Sequence, residues 1–264
     1  MSETPRTIVL TIAGSDSGGG AGMQADLKTF ARFGVFGTSV ITAVTAQNTR
    51  GVRGWERVSP PLVGAQIDAV AEDLRPAAIK SGMLGDAEVV RSVADGVRRH
   101  ALSPYVLDPV MAATSGDALL TSDAIAAIVD ELFPLATLVT PNLDEVALLL
   151  GERPTDDAGM ERAARTLVTR HGARAALVKG GHLPGETLVD VLFDGTTTRR
   201  FSHARIATTS THGTGCTLSA AIAASMALGD PLDRAVERGL DFVVRAIESA
   251  PGLGSGHGPL NHFA

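Results

Sequence analysis

The chain has 264 residues, of which 44% are hydrophobic and 20% are charged, and its formal net charge is −6. This is the composition of an ordinary globular protein, and the acidic balance argues against a nucleic-acid partner, which would attract a basic surface. No apolar run reaches the roughly 18 residues of a membrane span, and the N-terminus lacks the pattern of a signal peptide, so we expect a cytoplasmic protein with no membrane partner.

Short apolar runs of strand length alternate with amphipathic runs of helix length along most of the chain. The predicted strands are TIVLTIAG (7–14), SVITAVTAQ (39–47), PAAIKSG (76–82), PYVLDPV (104–110), ATLVTPN (136–142) and AALVKGG (175–181). The predicted helices cover residues 23–34, 60–74, 86–100, 122–133, 142–151 and 158–172, and two more begin near Thr214 and Leu232. This alternation predicts an α/β fold with a mainly parallel sheet that helices cover on both faces.

The ends of the first two predicted helices carry local signals. In the first helix Leu27, Phe30 and Ala31 are spaced to share one face, and Gly34 is typical of a C-terminal cap. The second helix begins with prolines at Pro60 and the next position, which suit a first helical turn. Both signals support the predicted helix bounds.

The segment 187–206 follows a different pattern from the rest of the chain. It alternates apolar and polar residues on both sides of Asp194-Gly195, which predicts a β-hairpin. No linker, composition break or internal repeat interrupts the chain. We therefore expect one domain that covers residues 1–264.

Polar and glycine-rich segments directly follow the predicted strands. These segments are AGSDSGGGAG, TAQNTRG, KSGMLG, LDPVMAATSGD, TPNLDE and KGGHLPG. In an open parallel sheet, ligands bind outside the carboxyl ends of the strands. We therefore expect these segments to meet at one edge of the sheet and to form a site there.

The segment HGTGC, residues 212–216, precedes a predicted apolar helix and ends in Cys216, the only cysteine of the chain. A single cysteine excludes an internal disulfide and a four-cysteine zinc site. Gly213 and Gly215 leave backbone N–H groups unobstructed, and the helix dipole adds positive charge, so the segment can bind a phosphoryl group and stabilise its transfer. Taken alone, the motif fits a ligand-free glycine-rich turn equally well. The P-loop pattern is absent, and Met23 interrupts the dinucleotide-binding pattern.

Eight motifs lie in order between Ile8 and Phe263: AGSDSGGGAGMQADLKTF, TAVTAQNTRGV, SGMLG, LDPVM, TPNLDE, LVKGGHLPGE, THGTGCTLSAAIA and GPLNHF. Together they resemble the hydroxymethylpyrimidine/phosphomethylpyrimidine kinases of thiamine biosynthesis, which belong to the ribokinase-like kinases. The resemblance implies a three-layer α/β/α sandwich and usually a homodimer. It also implies two successive phosphorylations with Mg-ATP, of 4-amino-5-hydroxymethyl-2-methylpyrimidine and then of its monophosphate. ATP, Mg²⁺ and aminopyrimidines are the ligands that we therefore expect.

The resemblance assigns catalysis to the start of the helix that follows HGTGC. Cys216 stands where ribokinase-like enzymes generally carry an aspartate base, and a thiol at a helix N-terminus can lose its proton and accept that of the substrate hydroxyl. Gly213 and Gly215 are expected to stabilise the transferred group, and Asp26 to face the hydroxymethyl group or orient a water. The alternatives are a buried inert cysteine and a solvated helix acid.

The pyrimidine is expected to bind among residues that end or follow the predicted strands. The carboxamide of Gln47 can donate and accept together, which matches the amino group and ring nitrogen of an aminopyrimidine. The resemblance implies this role, and it implies that Met83 and Val110 form apolar walls and that Gly14 lets the backbone approach the ring. Taken alone, Gln47 fits a polar turn residue, and core packing explains the apolar side chains as well.

Asn142 and Glu145 form N-x-x-E at the start of a predicted helix. In ribokinase-like enzymes this pattern holds the magnesium–phosphate water network. The resemblance implies that Glu145 and Asp108 hold Mg²⁺ through water, and that Lys179, Asn142 and Thr214 bind ATP phosphates. The alternatives are a helix N-cap followed by a first-turn acid, and a surface lysine at a strand end.

One position departs from the resemblance. Relatives often read D-P-V-M-x-A-K-S-G-D, whereas this chain reads DPVMAATSGD and has Thr114 in place of the lysine. If that lysine clamps a phosphate, the chain lacks one positive charge at the site. We expect weaker handling of ATP or of the monophosphate, and no change in the reaction.

Two alternative functions stay open on the sequence. A pyridoxal kinase of the same superfamily phosphorylates a similar hydroxymethyl group and is compatible with Cys216, although Gln47 and Met83 favour the pyrimidine. A non-catalytic pyrimidine-binding sensor would have a degraded phosphate apparatus, whereas HGTGC, Glu145 and Lys179 are all present.

Overall fold

The computed structural model describes residues 7–111, 121–181 and 183–264, and nine strands in these ranges form one sheet. They are β1 (Ile8–Ser15), β2 (Phe36–Asn48), β3 (Gly51–Arg57), β4 (Ala78–Ser81), β5 (Tyr105–Leu107), β6 (Leu138–Val139), β7 (Ala176–Val178), β8 (Thr187–Phe193) and β9 (Thr198–Ala204). Their order across the sheet is β3-β2-β1-β4-β5-β6-β7-β8-β9. Six neighbouring strands, β2, β1, β4, β5, β6 and β7, run parallel to one another. Antiparallel pairs form at the two edges, where β3 pairs with β2 and where β8 pairs with β7 and β9. The predicted mainly parallel sheet is confirmed.

Eight α-helices cover the two faces of the sheet in the described ranges. They are α1 (Gly22–Arg32), α2 (Pro60–Asp73), α3 (Ala87–Arg99), α4 (Ser122–Ala127), α5 (Leu143–Leu150), α6 (Asp157–Thr169), α7 (Thr214–Ala227) and α8 (Leu232–Glu248). A π-helical turn (Ile128–Leu132) and a 3-10 turn (Phe133–Leu135) continue α4. On one face, the strands pack against α1, α7 and α8 to form one hydrophobic core. On the other face, they pack against α2, α3, α5 and α6 to form a second core. The predicted three-layer sandwich is thereby confirmed.

The central strands bury both of their faces. On β1, Val9 packs in the core below α1, α7 and α8, whereas its neighbour Leu10 packs in the core on the opposite face. Val106 and Leu107 on β5 divide in the same way, and all four side chains are fully buried. Successive side chains of a strand point to opposite faces, so a strand covered on both sides needs an unbroken apolar run. This explains why the predicted strands read as continuous apolar segments.

Two sequence predictions differ from the structure. Strand β3 was not predicted, because its sequence GVRGWER is mostly polar and exposed and only its pairing with β2 makes it a strand. The buried face of α1 includes Phe30 as expected, but Ala31 is exposed, and Ala25, Asp26 and Thr29 complete that face instead. The predicted hairpin is confirmed as β8 and β9.

The described helices also bear on the membrane prediction. None of them is long and apolar enough to cross a bilayer. The longest, α8, has 17 residues and carries charged side chains along its length.

Candidate active site

A cavity of about 730 Å³ opens at the carboxyl edge of the parallel strands. Its walls come from the carboxyl ends of β1, β2 and β4, from the segments that follow β5, β6 and β7, and from the loop that leads into α7. The hairpin β8–β9 and α8 contribute further side chains. Every predicted site residue except Asp26 lines it, namely Gly14, Gln47, Met83, Asp108, Val110, Asn142, Glu145, Lys179, Gly213, Thr214, Gly215 and Cys216. The expected meeting of these segments at one sheet edge is therefore confirmed.

The N-terminus of α7 opens into this cavity. Gly213 adopts a left-handed conformation with φ of +82°, and the Thr214 hydroxyl donates to the carbonyl oxygen of Thr211 at 2.7 Å. Among the described residues, no backbone acceptor faces the N–H groups of Gly213, Gly215 and Cys216. Unpaired N–H groups at the positive end of a helix form a binding site for an anion.

Cys216 lies in the first turn of α7 and is partly buried. Burial raises the pKa of its thiol to about 11, although the Lys80 ammonium and the Gly22 N–H group act to lower it. The expected thiolate is therefore not the resting form of the protein alone. Removal of the sulfur from water outweighs the nearby positive charge.

Lys179, at the end of β7, forms an ion pair with Asp108 beside the start of α7. Its Nζ atom lies 3.0 Å from Oδ1 of Asp108, and the Thr140 hydroxyl donates to the same oxygen at 3.1 Å. A Cβ atom on Gly215 would come 3.1 Å from this Nζ, so a glycine lets the ammonium approach the helix closely. Although burial acts to lower it, Asp108 and Glu145 raise the pKa of Lys179, which therefore stays positively charged.

Asn142 and Glu145 form a reciprocal cap at the start of α5. Oδ1 of Asn142 accepts the N–H groups of Asp144 and Glu145 at 2.9 Å each, and Oε2 of Glu145 accepts the Asn142 N–H at 2.7 Å. The helix-cap interpretation is therefore confirmed, but Glu145 is also buried and lines the cavity. Burial raises the pKa of Glu145 to about 7, with Lys179 acting to lower it and Asp108 to raise it.

The opposite end of the cavity has an apolar wall and a carboxamide. Met83 and Val110 pack around Ala43, and a Cβ atom on Gly14 would come 3.0 Å from the Met83 sulfur. Gln47 is the penultimate residue of β2 and also lines the cavity, and the Thr45 hydroxyl donates to its Oε1 at 3.3 Å. Gly14, Gln47, Met83 and Val110 all line the cavity, and we refer to the part of the cavity that they line as the Gln47 slot.

Asp26 does not line the cavity. It is fully buried, and its carboxylate accepts the ammonium of Lys80 at 2.9 and 3.0 Å and the hydroxyl of Thr11 at 2.5 Å. The expectation that Asp26 faces a ligand directly overlooked Lys80, a buried lysine on β4 that needs a counter-ion. Lys80 itself lines the cavity.

Asp16 and His212 join the loop after β1 to the loop before α7. The Asp16 carboxylate accepts the N–H groups of Gly18, Gly20 and Ala21, and it lies 2.8 Å from Nε2 of His212. Sequence analysis missed this pair. The aspartate before a glycine run was a signal for a side-chain-capped turn, but nothing in the sequence pointed to the histidine.

Two further features of the cavity were not predicted. Apolar side chains of α7 and α8 and of the chain after β9 also line the cavity, and we call this part of the lining the apolar lobe; they are Leu218, Leu240, Val243, Ile247 and Ile206. Their helical spacing looks like core packing in the sequence. Beside them, the Arg205 guanidinium donates to the carbonyl oxygens of Gly181, Leu183 and Gly185 and so fixes the loop after β7.

Within the described ranges, no group of three or more His, Cys, Asp or Glu residues is arranged to hold a metal ion. Asp108 and Glu145 instead lie near Lys179 as separate carboxylates at the cavity wall. This donor set suits a hydrated Mg²⁺, which usually keeps several waters and takes one or two carboxylates together with substrate phosphates. Thr114 lies outside the described residues.

Comparisons with known proteins agree with the sequence motifs. Residues 16–261 match the model of the phosphomethylpyrimidine kinase family. A hydroxymethylpyrimidine/phosphomethylpyrimidine kinase of Rhizobium meliloti is 55% identical over 259 residues, which are 97% of either chain. The thiamine biosynthesis bifunctional protein ThiED of Geobacter sulfurreducens is 49% identical over 98% of this chain and 53% of its own length. The crystal structure of an ADP complex of Bacillus subtilis pyridoxal kinase superposes with a TM-score of 0.91, at 34% identity and 98% coverage of both chains.

Proposed function

The chain belongs to the phosphomethylpyrimidine kinase family, and from this premise we propose how its site phosphorylates first 4-amino-5-hydroxymethyl-2-methylpyrimidine and then the resulting monophosphate. The protein is a kinase of thiamine biosynthesis with a ribokinase-like fold. One observation carries the proposal. The unpaired N-terminus of α7, with Cys216 in its first turn, lies in one cavity with the Gln47 slot and the Lys179–Asp108 ion pair.

The aminopyrimidine ring occupies the slot beside Gln47. Met83 and Val110 cover the ring, and Gly14 lets it lie against the backbone of β1. The Gln47 carboxamide offers a donor and an acceptor on one planar group, which match the exocyclic amine and the adjacent ring nitrogen. The hydroxymethyl group then points towards Cys216, across the cavity from this slot.

ATP occupies the rest of the cavity. The adenine lies in the apolar lobe between α7 and α8, where Leu218 and Val243 remove its faces from water. The phosphates extend to the N-terminus of α7, where Thr214 and the unpaired N–H groups contact them, and Lys179 adds a point charge. The ADP complex of the B. subtilis pyridoxal kinase supports a nucleotide in a chain of this fold.

The carboxylates of Asp108 and Glu145 would hold, through water, the Mg²⁺ that accompanies ATP, and Asn142 orders the turn that carries Glu145. Carboxylate oxygens are ligands that Mg²⁺ prefers. Bound there, the ion would neutralise charge on the ATP phosphates. Burial raises the pKa of Glu145 from its ordinary 4.5 to about 7. A cation bound nearby would favour the charged form of this carboxylate.

The chain contributes position and charge to the transfer step. The hydroxymethyl oxygen bonds to the γ-phosphorus of ATP, the bond from this phosphorus to the ADP oxygen breaks, and the hydroxyl proton passes to the sulfur of Cys216. The N–H groups of Gly213 and Gly215 stabilise the charge on the transferred group. Phosphoryl transfer passes through a loose transition state that needs little base catalysis. A small thiolate population of Cys216 therefore suffices.

We also propose that the whole chain is one domain and forms a cytoplasmic homodimer. Large apolar side chains on β2 and α2 are exposed, namely Phe36, Val44 and Leu62. A contiguous exposed apolar patch marks a surface that another protein covers, and we propose that these side chains contribute to such a patch. Sedimentation equilibrium of the purified protein tests the dimer, and a mass of 27.2 kDa at all concentrations would contradict it.

The experiment that tests the function follows ADP release from Mg-ATP with the hydroxymethylpyrimidine and, separately, with its monophosphate. Phosphorus NMR of each reaction identifies the product. We expect ADP together with the monophosphate in the first reaction and the diphosphate in the second. Tight binding of the pyrimidine without ADP release would support a pyrimidine sensor instead and overturn the proposal.

A further inference from the structure

Lys80 is a fully buried lysine that the proposed transfer step does not use. Both Lys80 and its partner Asp26 are 0% exposed, and the Lys80 Nζ lies 2.9 and 3.0 Å from the two Asp26 oxygens. The Thr11 hydroxyl holds the same carboxylate at 2.5 Å. A buried ion pair adds little net stability, because desolvation of two charges offsets their attraction. Stability alone therefore does not explain why the fold places a cation here.

The location of Lys80 relates it to Cys216. α7, which carries Cys216, packs against both α1 and β4, and the Lys80 and Cys216 side chains line the same cavity. A Cβ atom on Gly82 would come 2.9 Å from the Lys80 Nζ, so a larger residue there would displace the ammonium. The Lys80 ammonium and the N–H group of Gly22, the first residue of α1, both act to lower the pKa of the Cys216 thiol. A backbone donor and a fixed cation therefore favour the anionic form of one thiol.

Four charged groups face Cys216 from the elements around α7. They are Asp26 on α1, Lys80 on β4, Asp108 after β5 and Lys179 after β7. Asp108 and Lys179 pair with each other at 3.0 Å, so their charges largely offset. Of the other pair, only Lys80 reaches the cavity wall, whereas Asp26 lies behind it. Lys80 is therefore the member of this pair that is presented to the sulfur, and its charge acts to lower the pKa of the Cys216 thiol, whereas Asp26 acts to raise it.

We propose that Lys80 is a positioning residue of the kinase site, held by Asp26 so that its ammonium group is the counter-ion of the anionic form of Cys216. The inference rests on the proposed role of Cys216 as the acceptor of the substrate proton. Lys80 itself keeps its proton through the reaction. Although burial acts to lower it, Asp26 and Cys216 raise the pKa of Lys80.

The only cysteine of the chain makes this inference directly measurable. Alkylation by iodoacetamide as a function of pH reports the ionisation of Cys216 without turnover, because the thiolate is the reactive form. Lys80→Met is expected to move the midpoint of alkylation upward by about one pH unit, which slows alkylation about tenfold below the midpoint. Asp26→Asn is expected to move the midpoint downward, because the ammonium loses its nearer counter-ion.

Shifts of the alkylation midpoint in opposite directions in Lys80→Met and Asp26→Asn are expected if both charges act on Cys216. An ion pair that only stabilises the fold would not produce them. Should Lys80→Met fail to fold, the double variant Asp26→Asn/Lys80→Met removes both buried charges, and its midpoint is expected above that of Asp26→Asn alone. Shifts of the same sign, or a double variant whose midpoint equals that of Asp26→Asn, would overturn the inference.

The pH profile of kcat, measured on the same variants, separates this inference from the proposed function. We expect its acidic limb to move with the alkylation midpoint. A midpoint that does not move in an active kinase would overturn the role of Lys80 and leave the kinase assignment intact. Opposite alkylation shifts with a fixed acidic limb would confirm the counter-ion and contradict proton transfer to Cys216.

Discussion

Gly213 lies directly against the carbonyl oxygen of Gly20: a Cβ atom on Gly213 would come within 1.9 Å of that oxygen. In the other direction, a Cβ atom on Gly20 would lie 2.6 Å from Cδ2 of His212. The loop after β1 and the loop before α7 therefore fit together through their backbones. The bond of 2.8 Å between His212 and Asp16 holds them in this contact. The position of the α7 N-terminus depends on two residues that carry no side chain.

Gly213→Ala tests this dependence. We expect kcat/KM to fall by about 100-fold or more, because the new methyl group moves the N–H groups that bind the phosphoryl group. Gly229→Ala is the matched control, since Gly229 has φ of +97° at the other end of α7 and no atom within 4 Å of its Cβ position. It adds backbone strain of about 1–3 kcal/mol without a clash. Equal activity of the two variants would contradict the account.

Variants of Cys216 test the proton acceptor. Cys216→Ala is expected to lower kcat by about 10²-fold, the lower end of the range for loss of a general base, because a loose transition state needs little base catalysis. Cys216→Asp is expected to retain more activity, because a carboxylate accepts a proton at the same place. Initial rates of ADP release give both values, and KM for ATP serves as the control. If Cys216→Ala were as fast as the wild type, the sulfur would have no part in the transfer step.

Gln47→Ala tests recognition of the pyrimidine. We expect KM for the hydroxymethylpyrimidine to rise about 10- to 100-fold, because the polar edge of the ring loses its partner. KM for ATP should stay the same. The fold should tolerate the change, since Thr45 also donates to the Ser15 carbonyl and the Gln47 N–H bonds to Ser17. An unchanged KM for the pyrimidine would place the ring elsewhere.

The buried Glu145 predicts a pH dependence of stability. Its folded pKa is raised from 4.5 to about 7, so the folded state binds this proton more tightly than the unfolded state. Its contribution is present below about pH 4.5 and is lost as the pH rises through about 7. Glu145→Gln should therefore be more stable relative to the wild type at pH 8 than at pH 5, and it should lose activity with Mg-ATP.

Thermal unfolding at the two pH values measures this difference. Asp144→Asn is the matched control in the same helical turn, because it removes a carboxylate that is 61% exposed and paired with Arg153 rather than buried in the cavity wall. Parallel Tm-against-pH curves for the wild type and Glu145→Gln would show that Glu145 titrates normally.

Most of the sheet, and the sheet edge at which the site lies, could be predicted from local sequence, whereas the roles of most site residues are what the family resemblance implies. A parallel strand buried on both faces needs an apolar run, and the polar segments after such strands meet at one edge. β3 carries no comparable signal, because its sequence is polar and its pairing with β2 defines it. Ala31 was misplaced because helical spacing marks a face only to within about one residue.

The missing parts of the site are contacts between distant residues. His212 and Asp16 are 196 positions apart, and Lys80 and Asp26 are 54 apart. Periodicity places neither pair, because only the order of the strands brings their segments together. The burial of a side chain likewise depends on distant segments and is not evident from the local sequence. The raised pKa of Cys216 follows from the elements that surround the thiol and not from its place at a helix start.

The central claim is that the Gln47 slot and the α7 N-terminus together phosphorylate an aminopyrimidine. The most direct measurement compares kcat/KM of the wild type for the hydroxymethylpyrimidine and for pyridoxal under the same Mg-ATP conditions. We expect a clear preference for the pyrimidine, and loss of that preference in Gln47→Ala. A preference for pyridoxal in the wild type would contradict the substrate assignment.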